Sequence, residues 1–534
     1  MNNGYNPRIF ARDLALHGSA QWATRDHLRA RQYGERGRIF LGYGLPENNK
    51  ARAFPITTNT HRHLITIAPT RSGKAVSTCV PRCLEHQGPL VVTDVKDGEL
   101  AIISAQYRRD VLGHKVIIID PWNIACQHLD INPSCYNALD WLDPTNDDFI
   151  EDAMLIADSL VIDRGSKEPF WNDEARALLM GLIMYVAASP TIFMPTENKS
   201  RDLGQVRRLL NLPPQEFKEM VEGKFEGEGE HRALIQPGMA QSPYEAVRAA
   251  CARILNKSER EFSSVLSTAL QHTHFLESPR IQKSLSRSDF NIDDLQNGDM
   301  DIFIVLPAGR LLTYNRFLRK LLNIFITAVT RFKIKPNPPV YFLLEEAAAL
   351  GRLDVIENAY GLMAGFGMQL HMIVQDLNQL NSIYGDRWQT FIANSGVIQC
   401  FGTRDVMGAE YLSRLSGMST VESLSEESSA RRAGLISDPH FLSREDGIHG
   451  RALITPDEIM TMHPAAQLLI LAHCHPVTCF KTAYFLDKNY RDINSKPYFN
   501  IHPHYQDRPL PRAIDFTRAG LDIGAVLNSV MNSG

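Results

Sequence analysis

The segment that follows the apolar run LITIAP (64–69) has the residues that a phosphate-binding loop needs, in the order in which it needs them. A glycine lets successive backbone N–H groups turn towards phosphate oxygens, and the lysine after it carries a positive charge to the β- and γ-phosphates. The helix expected next adds the partial positive charge of its N-terminus. The segment therefore predicts a nucleotide-binding loop. Its residues are Pro69, Thr70, Arg71, Ser72, Gly73, Lys74, Ala75 and Val76.

This loop departs from the Walker A pattern G-x-x-x-x-G-K-[ST] at two positions. Ala68 takes the place of the first glycine, and Ala75 takes the place of the Ser or Thr whose hydroxyl binds Mg²⁺. The hydroxyl of Ser72, Ser77 or Thr78, or a water molecule, could take over that role. The second departure therefore leaves open how the loop contributes to holding Mg²⁺.

A second apolar run, VYFLLEE (340–346), ends in two carboxylates, Glu345 and Glu346. This is the order of a Walker B motif, with glutamate at position 345 where aspartate is usual. The first carboxylate can hold the Mg²⁺ shell, and the second can orient and deprotonate an attacking water. We predict Glu345 as the metal-side acid and Glu346 as the catalytic base. The alternative is an ordinary strand that ends in two solvated acids.

A third strand end, in MQLHMIVQD (368–376), carries Gln375. A polar amide beside a γ-phosphate could act as a sensor that reports hydrolysis to neighbouring elements. The alternative is a glutamine that caps the next helix. The separation between Lys74 and Glu345 exceeds what a minimal NTPase core needs, which requires an insertion between the two motifs.

The elements that must position these residues alternate between short apolar runs and amphipathic helical stretches. Most runs are continuously apolar, as expected for strands that helices cover on both faces. This alternation predicts an α/β fold with a mostly parallel sheet. The predicted strands lie at 64–69, 90–95, 116–120, 301–307, 340–346, 368–376, 397–402, 467–473 and 479–486.

The sheet pattern breaks between residues 144 and 297, where helical patterns such as 147–162 and 170–189 prevail. We interpret this stretch as an inserted all-α domain that also holds a charged, loop-like segment at 222–231. The Ser/Glu-rich stretch 419–430 is predicted to be a mobile surface loop, and a possible amphipathic helix starts at Asp515. The predicted divisions are an N-terminal segment 1–60, a nucleotide-binding domain in two parts, 61–143 and 298–490, the insert 144–297 and a tail 491–534.

The composition excludes several classes of protein. Hydrophobic residues make up 44% and charged residues 22% of the chain, and the net charge is −4. These values are typical of soluble globular proteins and give no net positive field that would hold nucleic acid. No apolar window of the sequence is long enough for a transmembrane helix. The sequence also has neither a signal peptide nor a disulfide framework. The composition therefore predicts a cytoplasmic protein whose contacts with DNA, if any, are local.

Taken together, the motifs resemble the type IV secretion system coupling proteins, the ring-forming ATPases of bacterial conjugation. The resemblance implies a RecA-like P-loop NTPase domain with an inserted all-α domain, a homo-hexamer with subunit interfaces at the nucleotide sites, and ATP and Mg²⁺ as cofactors. It is carried by the segments 17–24, 67–76, 94–100, 168–179, 266–276, 301–311, 342–353, 372–380, 401–417 and 452–460.

The same resemblance implies ATP hydrolysis coupled to recruiting single- or double-stranded DNA with its relaxase, or protein substrates, to the channel proteins at the inner membrane. It assigns Lys74 as the phosphate lysine, Glu345 as the Mg²⁺-side acid, Glu346 as the base and Gln375 as the sensor. Such proteins usually carry two transmembrane helices ahead of the segment that starts at His17. We therefore expect a member that lacks these helices and lies at the periphery of the inner membrane, or one that a separate subunit anchors.

Two other functions stay open. One is a recruitment platform that binds ATP but hydrolyses it weakly or not at all, which Ala75 and Glu345 would favour. The other is a soluble DNA translocase outside secretion.

Further side chains are candidates for roles that the motifs do not settle. Arg352, Arg404 and Arg414 could each be the arginine that one subunit supplies to its neighbour's γ-phosphate, with structural ion pairs or a solvated face as the alternative. Phe170 and Trp171 could stack on DNA bases or a partner, with core packing as the alternative.

Overall fold

The computed structural model describes residues 18–34, 37–44, 53–161, 169–189, 200–226, 233–362, 365–423, 447–492, 496–501 and 513–514. These residues form two compact units. The first unit draws on residues 1–85, 371–498 and 508–534, and the second on residues 86–370 and 499–507. Within the described ranges, every helix is too short or too polar to span a bilayer.

The described strands are β1 (Ile39–Gly44), β2 (Phe54–Thr58), β3 (His63–Ile67), β4 (Leu90–Asp94), β5 (Lys115–Ile119), β6 (Lys224–Glu226), β7 (Ala233–Gln236), β8 (Met300–Val305), β9 (Val340–Leu344), β10 (Met368–Val374), β11 (Ser395–Cys400), β12 (Met418–Ser423), β13 (Gly447–Ala452), β14 (Ala466–Leu471) and β15 (Val477–Phe480).

The described α-helices are α1 (Arg25–Ala30), α2 (Val80–Glu85), α3 (Glu99–Asp110), α4 (Ile124–Leu129), α5 (Phe149–Leu160), α6 (Pro169–Ala188), α7 (Leu203–Leu210), α8 (Pro214–Glu222), α9 (Glu245–Leu255), α10 (Glu259–Thr273), α11 (Pro279–Ser284), α12 (Leu311–Thr330), α13 (Asp354–Leu362), α14 (Leu377–Tyr384), α15 (Gln389–Ala393), α16 (Val406–Ser416) and α17 (Pro456–Met460).

In the first unit the strands form a mixed sheet in the order β2-β1-β15-β14-β11-β3-β10. β3 pairs in parallel with β10 and β11, and the pairs from β11 through β14, β15 and β1 to β2 are antiparallel. All five residues of β3 are buried. Because β3 and β10 are parallel neighbours, the loop after Ile67 and the residue after Val374 leave the sheet at the same edge.

In the second unit the strands β9-β4-β8-β5 form an all-parallel sheet. The pairing places Thr93 of β4 opposite Leu344 of β9. The residues that follow these two strands therefore also emerge side by side. β4, β8 and β9 are buried along their whole length, as continuous apolar runs predict for strands covered on both faces.

The second unit also contains the helices of the predicted insert. α6 is largely apolar and packs against α5, α9 and α10. Gly181 lets α6 approach α9 closely, because a Cβ at this position would lie 2.7 Å from the Cβ of Ala250. The predicted insert is thus mainly helical, and its exact boundaries, like those of the other predicted domains, stay a prediction.

The predicted α/β fold with its mostly parallel sheet is confirmed, with local differences. The insert contains the hairpin β6–β7 where the sequence predicted a loop. The segment 418–423 is a strand paired with β13, so the start of the predicted loop at 419–430 is wrong, and residues 424–430 lie outside the described residues. The helix predicted from Asp515 also lies outside them.

Two further differences concern the first unit. The strand predicted at 479–486 ends at Phe480, where the chain leaves the sheet. The antiparallel strands β1 and β2 were missed because glycines in β1 and Pro55 in β2 weaken a strand signal.

Candidate functional site

The predicted phosphate loop lies in the first unit and starts directly at the end of β3. The backbone N–H of Ala68 donates to the carbonyl of Val374, 2.8 Å away, which ties the start of the loop to β10. Arg71 and Gly73 adopt positive φ angles of 61° and 84°. Left-handed residues within a turn let successive N–H groups face one concave side, which suits an anion.

A helix follows the loop, as the motif requires. It begins with one π-helical turn, Ala75–Cys79, and continues as α2. Lys74 stands at the start of this turn and is 6% exposed. π-Helical turns occur often at functional sites. The predicted order of strand, loop and helix is thus present, while the binding roles of residues 69–76 stay a prediction.

The three hydroxyls that could replace the Mg²⁺-binding hydroxyl missing at Ala75 lie in different surroundings. Thr78 is fully buried, and its Oγ1 lies 3.5 Å from Oε1 of Gln399. Ser77 lies beneath the loop, since its Oγ is 3.6 Å from the position that a Cβ on Gly73 would take. Ser72 is part of the loop itself, and no described residue bonds its hydroxyl. Thr78 is therefore the poorest of the three candidates.

Gln375, the predicted sensor, reaches the loop. Its Oε1 accepts a hydrogen bond from Oγ1 of Thr70 at 3.3 Å. The cap of α14 is Asp376, whose carboxylate accepts from the N–H of Gln379 at 2.8 Å. The alternative interpretation of Gln375 as the cap of that helix is therefore wrong.

A buried polar network lies across the strands below the loop, and the sequence interpretation missed it. Oγ1 of Thr66 is 2.7 Å from Nε2 of His371 and donates to Oε1 of Gln399 at 3.0 Å. Nε2 of Gln399 donates to Oε1 of Gln467 at 2.6 Å. Burial lowers the pKa of the His371 imidazole well below its usual value. The network is therefore uncharged, and it joins β10, β3, β11 and β14.

The predicted acids lie in the second unit, at the ends of its strands. Glu345 follows β9 and is 1% exposed, and its Oε1 accepts from Nζ of Lys96 at 2.5 Å. The Oγ1 of Thr93 donates to the backbone carbonyl of Glu345 at 3.2 Å. The other carboxylate oxygen, Oε2, is buried and has no hydrogen-bond partner among the described residues.

Two further carboxyls, which the sequence interpretation missed, lie close to Glu345. Asp94 ends β4 and is fully buried; one of its oxygens accepts from the N–H of Ala101 at 2.8 Å. Burial, and then the Glu345 carboxylate, raise the pKa of Asp94 well above its usual value. Burial and Glu345 also raise the pKa of Glu99 to about 7, against the opposing effect of Lys96. The cluster of Asp94, Glu99 and Glu345 therefore has more carboxyl groups than the single ammonium group of Lys96 can neutralise.

Glu346, the predicted base, stands in a left-handed backbone conformation with a φ of 53°. It is half-buried, and its carbonyl accepts from the N–H of Ala349 at 2.9 Å. A non-glycine residue in this region costs about 1–3 kcal/mol and occurs preferentially at functional sites. Its catalytic role, like that of Glu345 in binding metal, stays a prediction.

The remaining candidates, the three arginines and the aromatic pair, differ in exposure and in partners. Arg352 bonds Asp354 at 2.9 Å and Glu357 at 3.2 Å within its own unit, whereas Arg404 and Arg414 are exposed. Phe170 is 51% exposed, so the interpretation of this side chain as core is wrong. In the part of the chain that the structure describes, no group of three or more His, Cys, Asp and Glu side chains is arranged to hold a metal ion.

Comparison with known proteins places this arrangement in a family. A family described as "Type IV secretory system Conjugative DNA transfer" matches residues 21–506. The conjugal transfer protein TraG of Escherichia coli is 27% identical over an alignment of 487 residues, and the match covers 84% of this chain and 71% of the relative. The coupling protein VirD4 of Bartonella quintana is 25% identical over 436 residues, 80% of this chain and 63% of the relative.

Solved structures share the fold. The plasmid coupling protein TrwB in complex with the ATP analogue ADPNP superimposes with a TM-score of 0.61 at 15% identity, over 90% of this chain and 96% of the other. TrwB in complex with ADP and Mg²⁺ gives a TM-score of 0.60 at 14% identity. The fold is therefore RecA-like, as the resemblance implied, and the chain belongs to the type IV secretory system family of conjugative DNA transfer, the coupling proteins.

Proposed function

We propose that this protein is a coupling ATPase that binds and hydrolyses ATP in order to recruit a DNA–relaxase complex, or protein substrates, to a type IV secretion channel and drive them into it. The observation that supports this most is the loop after β3, with left-handed residues at Arg71 and Gly73 and Lys74 at the start of the following helix. Because TrwB, which shares the fold, has been solved with ADP and with ADPNP, this loop is the natural place for the nucleotide.

Each loop residue has a distinct role in this proposal. The backbone N–H groups of residues 69–76 cradle the phosphate oxygens, and the ammonium of Lys74 binds the β- and γ-phosphates. Gln375 senses the nucleotide state through its bond to Thr70. Since Thr70 belongs to the loop, a change in the loop reaches the start of α14 through one side-chain contact.

The acids of the second unit fit a magnesium ion. Mg²⁺ is usually held by one or two carboxylates together with water and substrate phosphates, and Glu345 offers a buried oxygen that no described residue bonds. When bound, the ion neutralises charge that develops on the phosphates. In this proposal Glu346 is the general base that orients the attacking water and takes its proton.

The partners proposed for this protein follow from its family. We place it as a homo-hexamer at the periphery of the inner membrane, where it contacts the channel proteins, DNA and the relaxase. One subunit would supply an arginine to its neighbour's nucleotide, with Arg404 and Arg414 as the exposed candidates. These assignments rest on the family match and on exposure.

Steady-state ATP hydrolysis with and without single- and double-stranded DNA tests the proposal. We expect DNA to raise the rate of the wild type, Lys74→Ala to reduce it to background, and Glu346→Gln to bind ATP without hydrolysing it. Lys115→Ala serves as the control, because this lysine is half exposed and pairs only at 3.5 Å with Asp294 among the ion pairs described. Equal, slow rates for the wild type and Lys74→Ala on DNA would overturn the motor function.

One observation favours a second candidate, a recruitment platform that binds ATP with little hydrolysis. Lys96 already occupies Oε1 of Glu345, and Ala75 has no hydroxyl for Mg²⁺. A platform would bind ADPNP with Mg²⁺ as tightly as a motor does, but Glu346→Gln would leave its slow turnover unchanged.

A further inference from the structure

Lys481 is a buried lysine that neither the sequence motifs nor the proposed mechanism uses. It follows β15 directly, and only 2% of it is exposed. Its Nζ donates to the backbone carbonyl of Ser72, in the phosphate loop, at 2.8 Å. The ammonium also lies 3.9 Å from the centroid of the Phe401 ring. The side chain thus bridges the end of the sheet and the loop.

The surroundings of Lys481 are incomplete for a cation. Within the described residues no carboxylate pairs with it, although a buried ammonium is costly unless an anion compensates its charge. Burial lowers the pKa of Lys481 to about 7, a shift that the nearby thiol of Cys400 partly opposes. A phosphate chain bound by the loop would supply the negative charge that this position lacks.

The contact also fixes the geometry of the loop. The C=O and N–H of a trans peptide point in opposite directions. A hydrogen bond that holds the carbonyl of Ser72 towards Lys481 therefore directs the N–H of Gly73 away from it. This N–H is the donor directly before Lys74. A second contact supports the same segment, because the N–H of Tyr484 donates to the carbonyl of Val76 at 3.0 Å.

We propose that Lys481 is a positioning residue of the nucleotide site, which holds the Ser72 carbonyl so that the Gly73 N–H faces the phosphates and whose charge stabilises the anion-bound loop. The inference rests on the proposed nucleotide binding by this loop. It gives the segment after β15 a part in nucleotide affinity, in addition to its part in the fold.

The test is the dissociation constant for ADPNP with Mg²⁺, measured for the full chain and for Lys481→Met, Lys481→Gln and the control Lys115→Met. Loss of a charge-assisted hydrogen bond predicts a Kd raised about tenfold or more for Lys481→Met. Lys481→Gln keeps a donor without the charge and should fall between Lys481→Met and the wild type. In hydrolysis assays KM should rise, with kcat changed less.

A purely structural lysine gives a different pattern. Lys481→Met would then melt at a lower temperature, with a Kd within about twofold of the wild type, and that result would overturn the inference. If Lys481→Met does not fold, the Kd of Lys481→Gln decides in the same way. Failure of the wild type and of Lys115→Met to bind ADPNP would instead refute the nucleotide site itself, and this inference with it.

Discussion

At the scale of single residues, the burial of charge distinguishes the site groups from ordinary surface charges. Glu345 is buried, and one of its carboxylate oxygens accepts a hydrogen bond from Lys96. The other oxygen has no hydrogen-bond partner among the described residues. Lys481 is buried, and its ammonium contacts the carbonyl of Ser72 and the ring of Phe401. Each arrangement costs free energy in the absence of a ligand, and each is relieved by a ligand of opposite charge. Both therefore respond to substitution in ways that can be measured.

Removing the partner of Glu345 should destabilise the second unit. Lys96→Met leaves a buried carboxylate without its charged partner, which costs about 1–3 kcal/mol in the free energy of unfolding. The double variant Lys96→Met/Glu345→Gln should recover part of this loss, because it buries a neutral amide in place of a charge. Urea denaturation of the three proteins measures both effects, with the half-exposed Lys115→Met as the control. A single variant as stable as the wild type would show that Glu345 does not need Lys96.

Lys481 should make stability depend on pH. Its pKa falls from 10.5 to about 7 on folding, so the unfolded chain binds the proton more tightly. Stability from this group is complete above pH 10.5 and is lost as the pH falls through 7. As the pH rises within this window, the free energy of unfolding of the wild type should therefore increase relative to that of Lys481→Met, by at most about 1.4 kcal/mol per pH unit. Denaturation of both proteins at several pH values measures the difference, and parallel pH profiles would contradict it.

The site residues differ in how far local sequence could reveal them. Lys74 and the pair Glu345–Glu346 belong to short motifs, so their neighbours in the chain identify them. Asp94 ends a predicted strand, but its importance depends on β4 lying beside β9, which periodicity does not specify. Lys481 is still harder to predict, because its contact joins residues 409 positions apart. Spatial partners of this kind require the fold.

At the scale of elements, one buried ion pair ties α3 to the sheet of the second unit. Nε of Arg108 lies 2.5 Å from Oδ2 of Asp301, at the start of β8, and both side chains are fully buried. The guanidinium also donates to the carbonyls of His86 and Gly88 at 2.7 and 2.8 Å. Asp301 in addition accepts from the N–H of Leu90, at the start of β4, at 3.0 Å. Arg108 thereby holds α3, whose first residue is Glu99, against the sheet of the second unit.

Loss of this pair should be more costly than loss of the Lys96 contact. Arg108→Met removes the guanidinium from the buried Asp301 and leaves the His114 ring, 3.0 Å away, and the N–H of Leu90 as its partners; breaking a buried ion pair in this way costs about 3–5 kcal/mol of unfolding free energy. Arg108→Met/Asp301→Asn should be the more stable of the two variants, since no charge then remains buried. Chemical denaturation measures both. An exposed arginine provides the control: Arg109→Met should change the free energy by less than about 1 kcal/mol.

The elements also show what periodicity can and cannot predict. The parallel strands read as continuous apolar runs, so β3, β4, β8, β9, β10 and β11 were found close to their observed positions. The hairpins β6–β7 and β12–β13 were missed for two reasons. β6 and β7 have only three and four residues, and β12 and β13 consist largely of polar residues and glycine. The predicted strand at 479–486 is too long for a different reason. Its apolar residues pack around Tyr43 and Ala53 after the chain has left the sheet, and apolar patterning does not distinguish these two environments.

At the scale of the whole molecule, the net charge of −4 constrains how this protein could hold the DNA that is proposed as its substrate. Without a general positive field, a single chain should attract DNA weakly, because counterion release from phosphates requires several lysines or arginines at one surface. Assembly of several copies can bring dispersed basic side chains together around a strand. The slightly negative net charge of the single chain is therefore compatible with DNA binding by the proposed hexamer.

This argument predicts that DNA binding is cooperative in protein concentration. In a titration of a labelled single strand, followed by fluorescence anisotropy, we expect a sigmoidal curve that ADPNP with Mg²⁺ shifts to lower protein concentration. Lys74→Ala should not show the shift, since its loop lacks the phosphate lysine, and Lys115→Ala should show it in full. Sedimentation of the same samples should place assembly and DNA binding at the same concentration. A hyperbolic curve that is indifferent to nucleotide, with one chain bound per strand, would contradict the prediction, because a lone chain would then carry a sufficient basic surface of its own.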